Sequence, residues 1–340
     1  MTSTITSTEP AGEPAEGAGH ARTARDLASR IGWIVAWIVV ATLAWVTFTR
    51  LAGITVPARI TVMLQSIVPI AFLPVYPIAI VALLRRRWFL GGACVLLAVV
   101  HVLSVYPALG DRSLPAWAAT APRLTVLEAN VYDENAEPEA AAKKIMASGA
   151  DVLVVVEMDS QTLRALRLLG IDQAYPYSTI PNGRFRVDAI WSKHPLTDIQ
   201  SPISRRDMPI ATVDVDGRKL HLVAVHVENA IRDREEWTSE LEALKQQATS
   251  TTGPVALVGD FNSTRWNPPF GDLLAAGLHD AHEAVGQGLS RSWPNIAFPL
   301  PLMRLDHALV NDQVGVVSVR DIDIPGSDHI GFVTELAVGG

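Results

Sequence analysis

The sequence predicts an α/β chain: a four-layer α/β sandwich, two packed β-sheets flanked by helices, preceded by three transmembrane helices. Three observations lead there. Residues 31–109 are nearly all apolar, with arginines only at the breaks. Beyond residue 120, short β-branched runs interleave with stretches of helical periodicity, the pattern of sheets covered by helices. Several of those runs end in Asn, Glu, His or Asp, which suggests one shared rim where a rigid scaffold positions loop residues.

Residues 1–30 read as a disordered cytoplasmic N-terminus, because Thr, Ser, Pro, Gly, Ala and Glu dominate its first 20 positions. The anchor follows over residues 31–110. Residues 31–49, 60–84 and 88–109 are uncharged runs of 19, 25 and 22 residues. Each meets the roughly 20 residues needed to cross a hydrocarbon layer about 30 Å thick. Pro69, Pro74 and Pro77 are expected to kink the second run, as membrane helices tolerate. His101, inside the third, reads as a neutral histidine bonded to a backbone carbonyl. Six arginines (Arg22, Arg25, Arg30, Arg85, Arg86, Arg87) share one side, against Arg50, Arg59, Arg112 and Arg123 on the other. That bias puts the N-terminus in the cytoplasm, so a multi-pass protein of the cell membrane would carry its C-terminal domain on the extracytoplasmic side.

A linker over residues 111–122 leads into a domain at 123–340, ample for a closed core. Strands are expected at 124–131, 151–156, 187–191, 210–215, 220–227, 255–261, 305–310 and 331–336. Helices are expected at 138–148, which begins with Pro138, and at 232–247, where Trp237, Leu241 and Leu244 fall on one face. Cys94 is the only cysteine, so neither an internal disulfide nor a cysteine-ligated zinc is available. Residues 1–110 hold 8 Lys+Arg against 4 Asp+Glu, and residues 111–340 hold 20 against 31. A balance of −11 in the C-terminal part opposes a tight nonspecific grip on duplex DNA.

The chain is organised around Gly259-Asp260-Phe261-Asn262, reached through the apolar run Val255-Ala256-Leu257-Val258. Asp260 and Asn262 are two apart, so on extended backbone they point the same way, with Phe261 opposite. Asn130 ends the first strand run and Glu157 the second. His226 closes the strand before the amphipathic helix. Asp306-His307 starts a later strand, and Ser327-Asp328-His329 precedes the last.

Those residues lie in Glu128-Ala129-Asn130-Val131, Val154-Val155-Val156-Glu157, Val223-Ala224-Val225-His226, Gly259-Asp260-Phe261-Asn262, Arg304-Leu305-Asp306-His307 and Gly326-Ser327-Asp328-His329. Set in that order over residues 121–340, they resemble the endonuclease/exonuclease/phosphatase superfamily. The segment after Asn262, with Trp266, Pro268, Pro269 and Phe270, looks like its membrane-anchored bacterial branch. The resemblance implies a metal-dependent phosphoester hydrolase that attacks phosphorus in line with water, without a covalent intermediate. It implies Asn130, Glu157 and Asp328 as ligands of Mg²⁺ or Mn²⁺, hard oxygen donors suited to such ions. His329 would be the base or the phosphate-stabilising group, oriented by Asp306. Asp260, with Asn262 beside it, would orient the water, and His226 would stabilise the crowded phosphorus or the departing oxygen. The implied partners are a phosphoester substrate (lipid, nucleotide or nucleic acid) and the lipid bilayer, with no obligate protein partner evident.

Each residue also has a plainer reading. Asn130 and Asn262 suit turns, Glu157 suits a helix cap, and His226 suits a satisfied core histidine. Asp306 could pair with Arg304, and Asp328 could be an ordinary loop acid. Asp188, His194 and His307 read as structural. Two other functions stay open: a nuclease, and a catalytically silent membrane module that binds phosphorylated ligands. A calcineurin-type metallophosphatase is excluded, because its paired metal motifs are missing. The acidic balance, with basic pairs only at Arg184/Arg186 and Arg205/Arg206, favours a small or lipid phosphodiester over duplex DNA. Trp266, Phe270, Trp293 and Phe298 are expected to pack rather than to border a cleft.

Overall fold

A computed structural model describes residues 16–55, 59–110, 113–180, 187–200, 208–296 and 300–339. Residues 1–15, Arg112, Arg184, Arg186, Arg205, Arg206 and Phe298 lie outside the described residues. The chain forms two compact units, Met1–Trp45 with Pro74–Ala98, and Val46–Leu73 with Val99–Gly340.

The apolar N-terminal part is helical: α1 (Glu16–Leu51), α2 (Arg59–Ser66), α3 (Val68–Ala71), α4 (Val75–Leu84) and α5 (Trp88–Val105). Helix α1 starts within the stretch expected to be disordered; residues 16–30 hold four Ala and three Arg, good helix formers. Two helical segments, Asp26–Leu51 and Trp88–Leu109, are long and apolar enough to cross a membrane. The expected middle span is instead a bent pair, Arg59–Ser66 and Val68–Leu84, broken by 89°. Pro69 sits at the break, where it lacks the N–H that would continue the helix. Ile34, Ile38, Leu96 and Leu103 are among the large apolar side chains these helices leave exposed. His101 stacks on Phe72 with ring centroids 5.5 Å apart.

Twelve strands follow among the described residues: β1 (Arg123–Asn130), β2 (Val152–Met158), β3 (Tyr177–Ser178), β4 (Val187–Ser192), β5 (Leu196–Gln200), β6 (Ile210–Val215), β7 (Arg218–His226), β8 (Val255–Asp260), β9 (His279–Asp280), β10 (Asp306–Val310), β11 (Val314–Asp323) and β12 (Ile330–Val338). They make two mixed sheets, ordered β11-β12-β1-β2-β4-β3 and β5-β6-β7-β8-β10-β9. Helices α6 (Pro138–Ala147), α7 (Ser160–Leu168) and α8 (Ile171–Ala174) precede β3, and α9 (Arg234–Ser250), α10 (Pro268–Ala275) and α11 (Ala281–Ala284) lie in the second half. Helix α7 is capped by Asp159, which accepts the Thr162 N–H at 2.7 Å; Asp233 caps α9 in the same way.

Each sheet has one parallel pair at its centre, β1 with β2 and β7 with β8. A helix joins each pair, α6 in the first and α9 in the second, as a parallel connection requires. Strand alternation then sorts the side chains. Leu124, Val126, Val154, Leu222, Ala224, Ala256, Val258 and Ala308 fill the layer between the sheets. Leu127, Leu153 and Trp191 pack toward α6 and α7, while Val223 and Leu257 pack beneath α9 against its Trp237. Trp266 and Phe270 are buried, as expected, and Phe270 meets Phe261 edge-on at 5.5 Å.

Gly259 pairs with Val225 across the parallel strands and has φ +147. A Cβ there would stand 2.0 Å from the Val225 carbonyl oxygen, backbone that cannot swing aside. Gly259→Ala should therefore destabilise the detergent-solubilised chain by roughly 3 kcal/mol, the upper part of the overpacking range. Gly271, in α10 with open space around it, should gain about 0.5–1 kcal/mol as Ala. Thermal unfolding of the two variants should thus move in opposite directions.

Candidate active site

Alternation carries the inter-sheet face to one edge of the sandwich. Asn130 continues Leu124 and Val126, His226 continues Leu222 and Ala224, Asp260 continues Ala256 and Val258, and Asp306 continues Ala308 in reverse. Three of these stand at the C-terminal ends of the parallel strands, and Asp306 pairs with Asp260 in antiparallel register. Glu157 is different. In phase with Leu153 and Val155 it would face the outer layer. Its φ of +53 and a register shift between Val155 and Met158 turn it into the cleft and send Met158 to the outer core. Such a bulge re-aims a side chain at a strand end.

The site residues form one connected network. The Asn130 Nδ2 donates to Glu157 Oε1 at 3.1 Å and to Asp260 Oδ2 at 3.2 Å. His226 Nε2 stands 3.2 Å from Glu157 Oε1, and its Nδ1 faces Asp188 at 3.1 Å. His329 Nδ1 meets Asp306 Oδ2 at 2.8 Å, with its Nε2 3.9 Å from both Asp260 Oδ2 and Asp328 Oδ1. Asn262, in left-handed backbone at φ +44, donates through its Nδ2 to the Val227 carbonyl at 2.9 Å and to Asp260 Oδ2 at 3.3 Å. The Trp237 indole of α9 donates to the Asn262 carbonyl at 3.1 Å and so holds that turn. Ser327 Oγ donates to the Asn130 carbonyl at 2.7 Å and accepts the His329 N–H at 3.0 Å, tying the last loop to β1.

The structure thus brings together Asn130, Glu157, His226, Asp260, Asn262, Asp306 and His329. Asp328 lines the same cavity, where its Oδ2 accepts the Trp293 indole N–H at 3.0 Å. The cavity is about 720 Å³ and carries Trp293 on its wall, so this tryptophan does border the cleft. The plainer readings fall away for two residues: the cap of α7 is Asp159, not Glu157, and Arg304 pairs with Asp321 at 2.9 Å, not with Asp306. His307 is buried against Asp280 and the Ser263 carbonyl, a structural place as expected.

Asp188 is a correction. Read as structural, it lines the cavity, holds His226 Nδ1 and accepts the Glu157 backbone N–H at 3.1 Å. The signal was present in the strand pattern, since Asp188 shares the inter-sheet face with Ile190. Beneath the site, Glu128 is fully buried with neither carboxylate oxygen hydrogen-bonded. Burial, reinforced by Asp306, raises its pKa well above the usual range, so it is a neutral acid.

Charge in the cleft is balanced by imidazolium. Burial opposes a charge on His226, but Asp188 and Glu157 outweigh it and raise the pKa well above its usual value. Burial likewise opposes a charge on His329, yet Asp306 and Asp260 push it up to about 10. Burial would raise Glu157, but the bonds and charge from His226, with Asn130, hold it down to about 2. Asp260 is raised, by burial above all and by Asp306 beside it.

Among the described residues, two groups bring their ligand atoms within 4.8 Å of one another, close enough to hold a metal ion: Glu157 with His226 and Asp260, and Asp260 with Asp306 and His329.

A family model described as "Endonuclease/Exonuclease/phosphatase family" matches residues 127–329. Among solved structures, TDP2 of D. rerio complexed with single strand DNA product is similar at 19% identity and TM-score 0.54, over 63% of this chain and 98% of that one. Truncated TDP2 of Caenorhabditis elegans matches at 17% identity and TM-score 0.51, over 64% and 98%. An endonuclease/exonuclease/phosphatase from Bacteroides vulgatus matches at 14% and 0.51, over 64% and 99%. These likenesses are of fold. None of the curated proteins matches the sequence.

The raised His329 pKa has a consequence for stability. Its folded value of about 10 lies above the roughly 6.5 of a free histidine, so its contribution is complete below that lower value and drains as pH climbs toward the upper one. The melting temperature should accordingly fall from about pH 7 to about pH 10, and Asp306→Asn should flatten that fall. An identical slope in the variant is the contrary result.

Proposed function

Because the chain belongs to the endonuclease/exonuclease/phosphatase family, we propose that it is a membrane-anchored, divalent-metal-dependent phosphoester hydrolase. The observation that carries this reading is the unbroken network from Glu157 through Asn130 and Asp260 to the His329–Asp306 pair, at the floor of one cavity.

The donor set suits a hard cation such as Mg²⁺ or Mn²⁺. Glu157 is ionised and part-exposed to the cavity, the Asn130 amide stands against it, and Asp328 lines the same space. Glu157 and Asp328 would hold the ion through their carboxylates, joined by Asn130 if its Oδ1, which here accepts the Tyr132 N–H, is turned to the ion in place of its Nδ2. His226 would not, since it is protonated and both of its ring nitrogens face carboxylates. When bound, the ion would offset charge on the phosphoryl oxygens and on the departing oxygen.

The protein groups would do the rest. Asp260, whose carboxylate is kept from full acidity by burial, would orient the attacking water and accept its proton, with the Asn262 amide steadying its Oδ2. The charge on His329 makes it a phosphate-stabilising donor rather than a base; Asp306 fixes its Nδ1–H and leaves Nε2 for a phosphoryl oxygen. His226 would donate toward the departing oxygen, oriented by Asp188. A silent ligand-binding module would have little use for such paired acids and imidazoliums. The apolar helices would hold the chain in the cell membrane, with the catalytic domain on the extracytoplasmic side.

The full chain in detergent should hydrolyse bis-p-nitrophenyl phosphate with Mg²⁺ or Mn²⁺ and stop with EDTA. Glu157→Gln should lower kcat/KM about a thousandfold, near the upper end for losing one transition-state contact. Equal turnover by the wild type and this variant would return the protein to the silent reading. Asp188→Asn, which weakens the hold on His226 Nδ1 and on the Glu157 N–H, should cost about tenfold to a hundredfold.

A further inference from the structure

The catalytic cavity has a wall that the sandwich does not supply. Val62 and Met63 of α2 line it, together with Ser66. Helix α2 is held on the catalytic fold by polar bonds at several points. Ser66 Oγ donates to Asn267 Oδ1 at 3.1 Å, and Asn267 Nδ2 donates to the Val62 carbonyl at 3.4 Å. Just ahead of the helix, the Arg234 guanidinium donates to the Thr55 carbonyl at 3.1 Å, and the same loop as Asn267 also reaches the end of α5, where the Trp266 indole donates to the Ser104 carbonyl at 3.3 Å. Asn267 also caps its own loop, accepting the Thr264 N–H at 2.8 Å. The short arm of the bent apolar pair is therefore built into the active site.

Across the cavity, Ile231, Met303, Leu305 and Trp293 continue the apolar lining above the acidic floor. Met63 is half-exposed and belongs to that lining, so apolar surface is open to the cavity. Charge argues in the same direction. Among the described lining residues Arg232 alone is Lys or Arg, against Asp133, Glu157, Asp188, Glu228, Asp260 and Asp328. A nucleic-acid backbone brings many phosphates and needs a matching row of cations. This cavity suits one phosphate with an apolar neighbour.

Resting on the phosphoesterase reading, we infer that the substrate is a membrane-lipid phosphoester. Its phosphate enters the acidic floor while its apolar part lies against Val62 and Met63. Helix α2 thus serves as a specificity element. An acyl chain laid on this wall keeps part of its apolar surface out of water.

The test uses the full chain reconstituted in vesicles of phosphatidylcholine, phosphatidylethanolamine, phosphatidylglycerol and phosphatidylinositol, with Mg²⁺ or Mn²⁺. Headgroup or phosphate release is followed beside hydrolysis of bis-p-nitrophenyl phosphate by the same preparation. Wild type should act on both. Met63→Gln should lower the ratio of lipid to soluble-diester turnover about tenfold, the equivalent of one modest contact, and Met63→Leu should retain that ratio. With EDTA present, a diazirine-bearing phosphatidylcholine should label the peptide containing α2, and Met63→Gln should weaken that label. Hydrolysis of the soluble diester without any vesicle lipid overturns the lipid assignment alone. So does single-stranded DNA cleaved faster than lipid, or a Met63→Gln effect that is equal on both substrates. Absence of all hydrolysis removes the phosphoesterase reading and this one together.

Discussion

Five carboxylates crowd one edge of this sandwich, and the arrangement stands only because two imidazoliums sit among them. Glu157, Asp188, Asp260, Asp306 and Asp328 would repel one another across a few ångströms of low-dielectric space. His226 faces the first two and His329 the other three. Removing one member of such a set leaves an uncompensated buried charge, which costs far more than the pair contributes. The polar groups are hydrogen-bonded in consequence, and the neutral acid Glu128 beneath them adds no further charge. The same balance that lets the fold close also sets the chemistry: an imidazolium next to a buried, reluctant carboxylate is a donor next to an acceptor.

Backbone geometry, more than side-chain choice, aims these groups. Two parallel pairs bring the ends of β1, β2, β7 and β8 to one edge, the place where open α/β sheets collect their ligands. At that edge the regular pleat is broken twice. The bulge at Glu157 inverts its facing, and the left-handed turn at Asn262 folds its amide back onto Asp260. Positive φ at a non-glycine residue carries a cost that persists where the surroundings over-determine it. Here Asp188 holds the Glu157 N–H and Trp237 holds the Asn262 carbonyl.

The helices before the sandwich take part in the same design. Val46–Leu73 and the residues from Val99 onward cluster with the sandwich rather than with the other apolar helices. Bonds that join Ser66 and Ser104 to the loop of Trp266 and Asn267 account for that partition. A helix that precedes the sandwich thus forms one wall of its cleft.

The sequence by itself determined the apolar anchor region, most of the long strands, the two helices at 138–148 and 232–247, and the six motifs whose polar residues meet in the cleft. Those features are local: periodicity, run length and the residue that ends a run all survive without neighbours. Helix α7 and β5 escaped because they are short and polar, and β11, though ten residues long, because a bulge at Val316–Ser318 and the polar residues after it break its alternation. Only the tertiary structure decided that Asp188 serves His226, that Glu157 turns inward against its strand phase, and that α2 joins the cavity. Each of these depends on a partner dozens of residues or more away. Burial supplies the remaining reason: whether a carboxylate is neutral, as at Glu128, or ionised, as at Glu157, follows from what packs around it after the sheets have met.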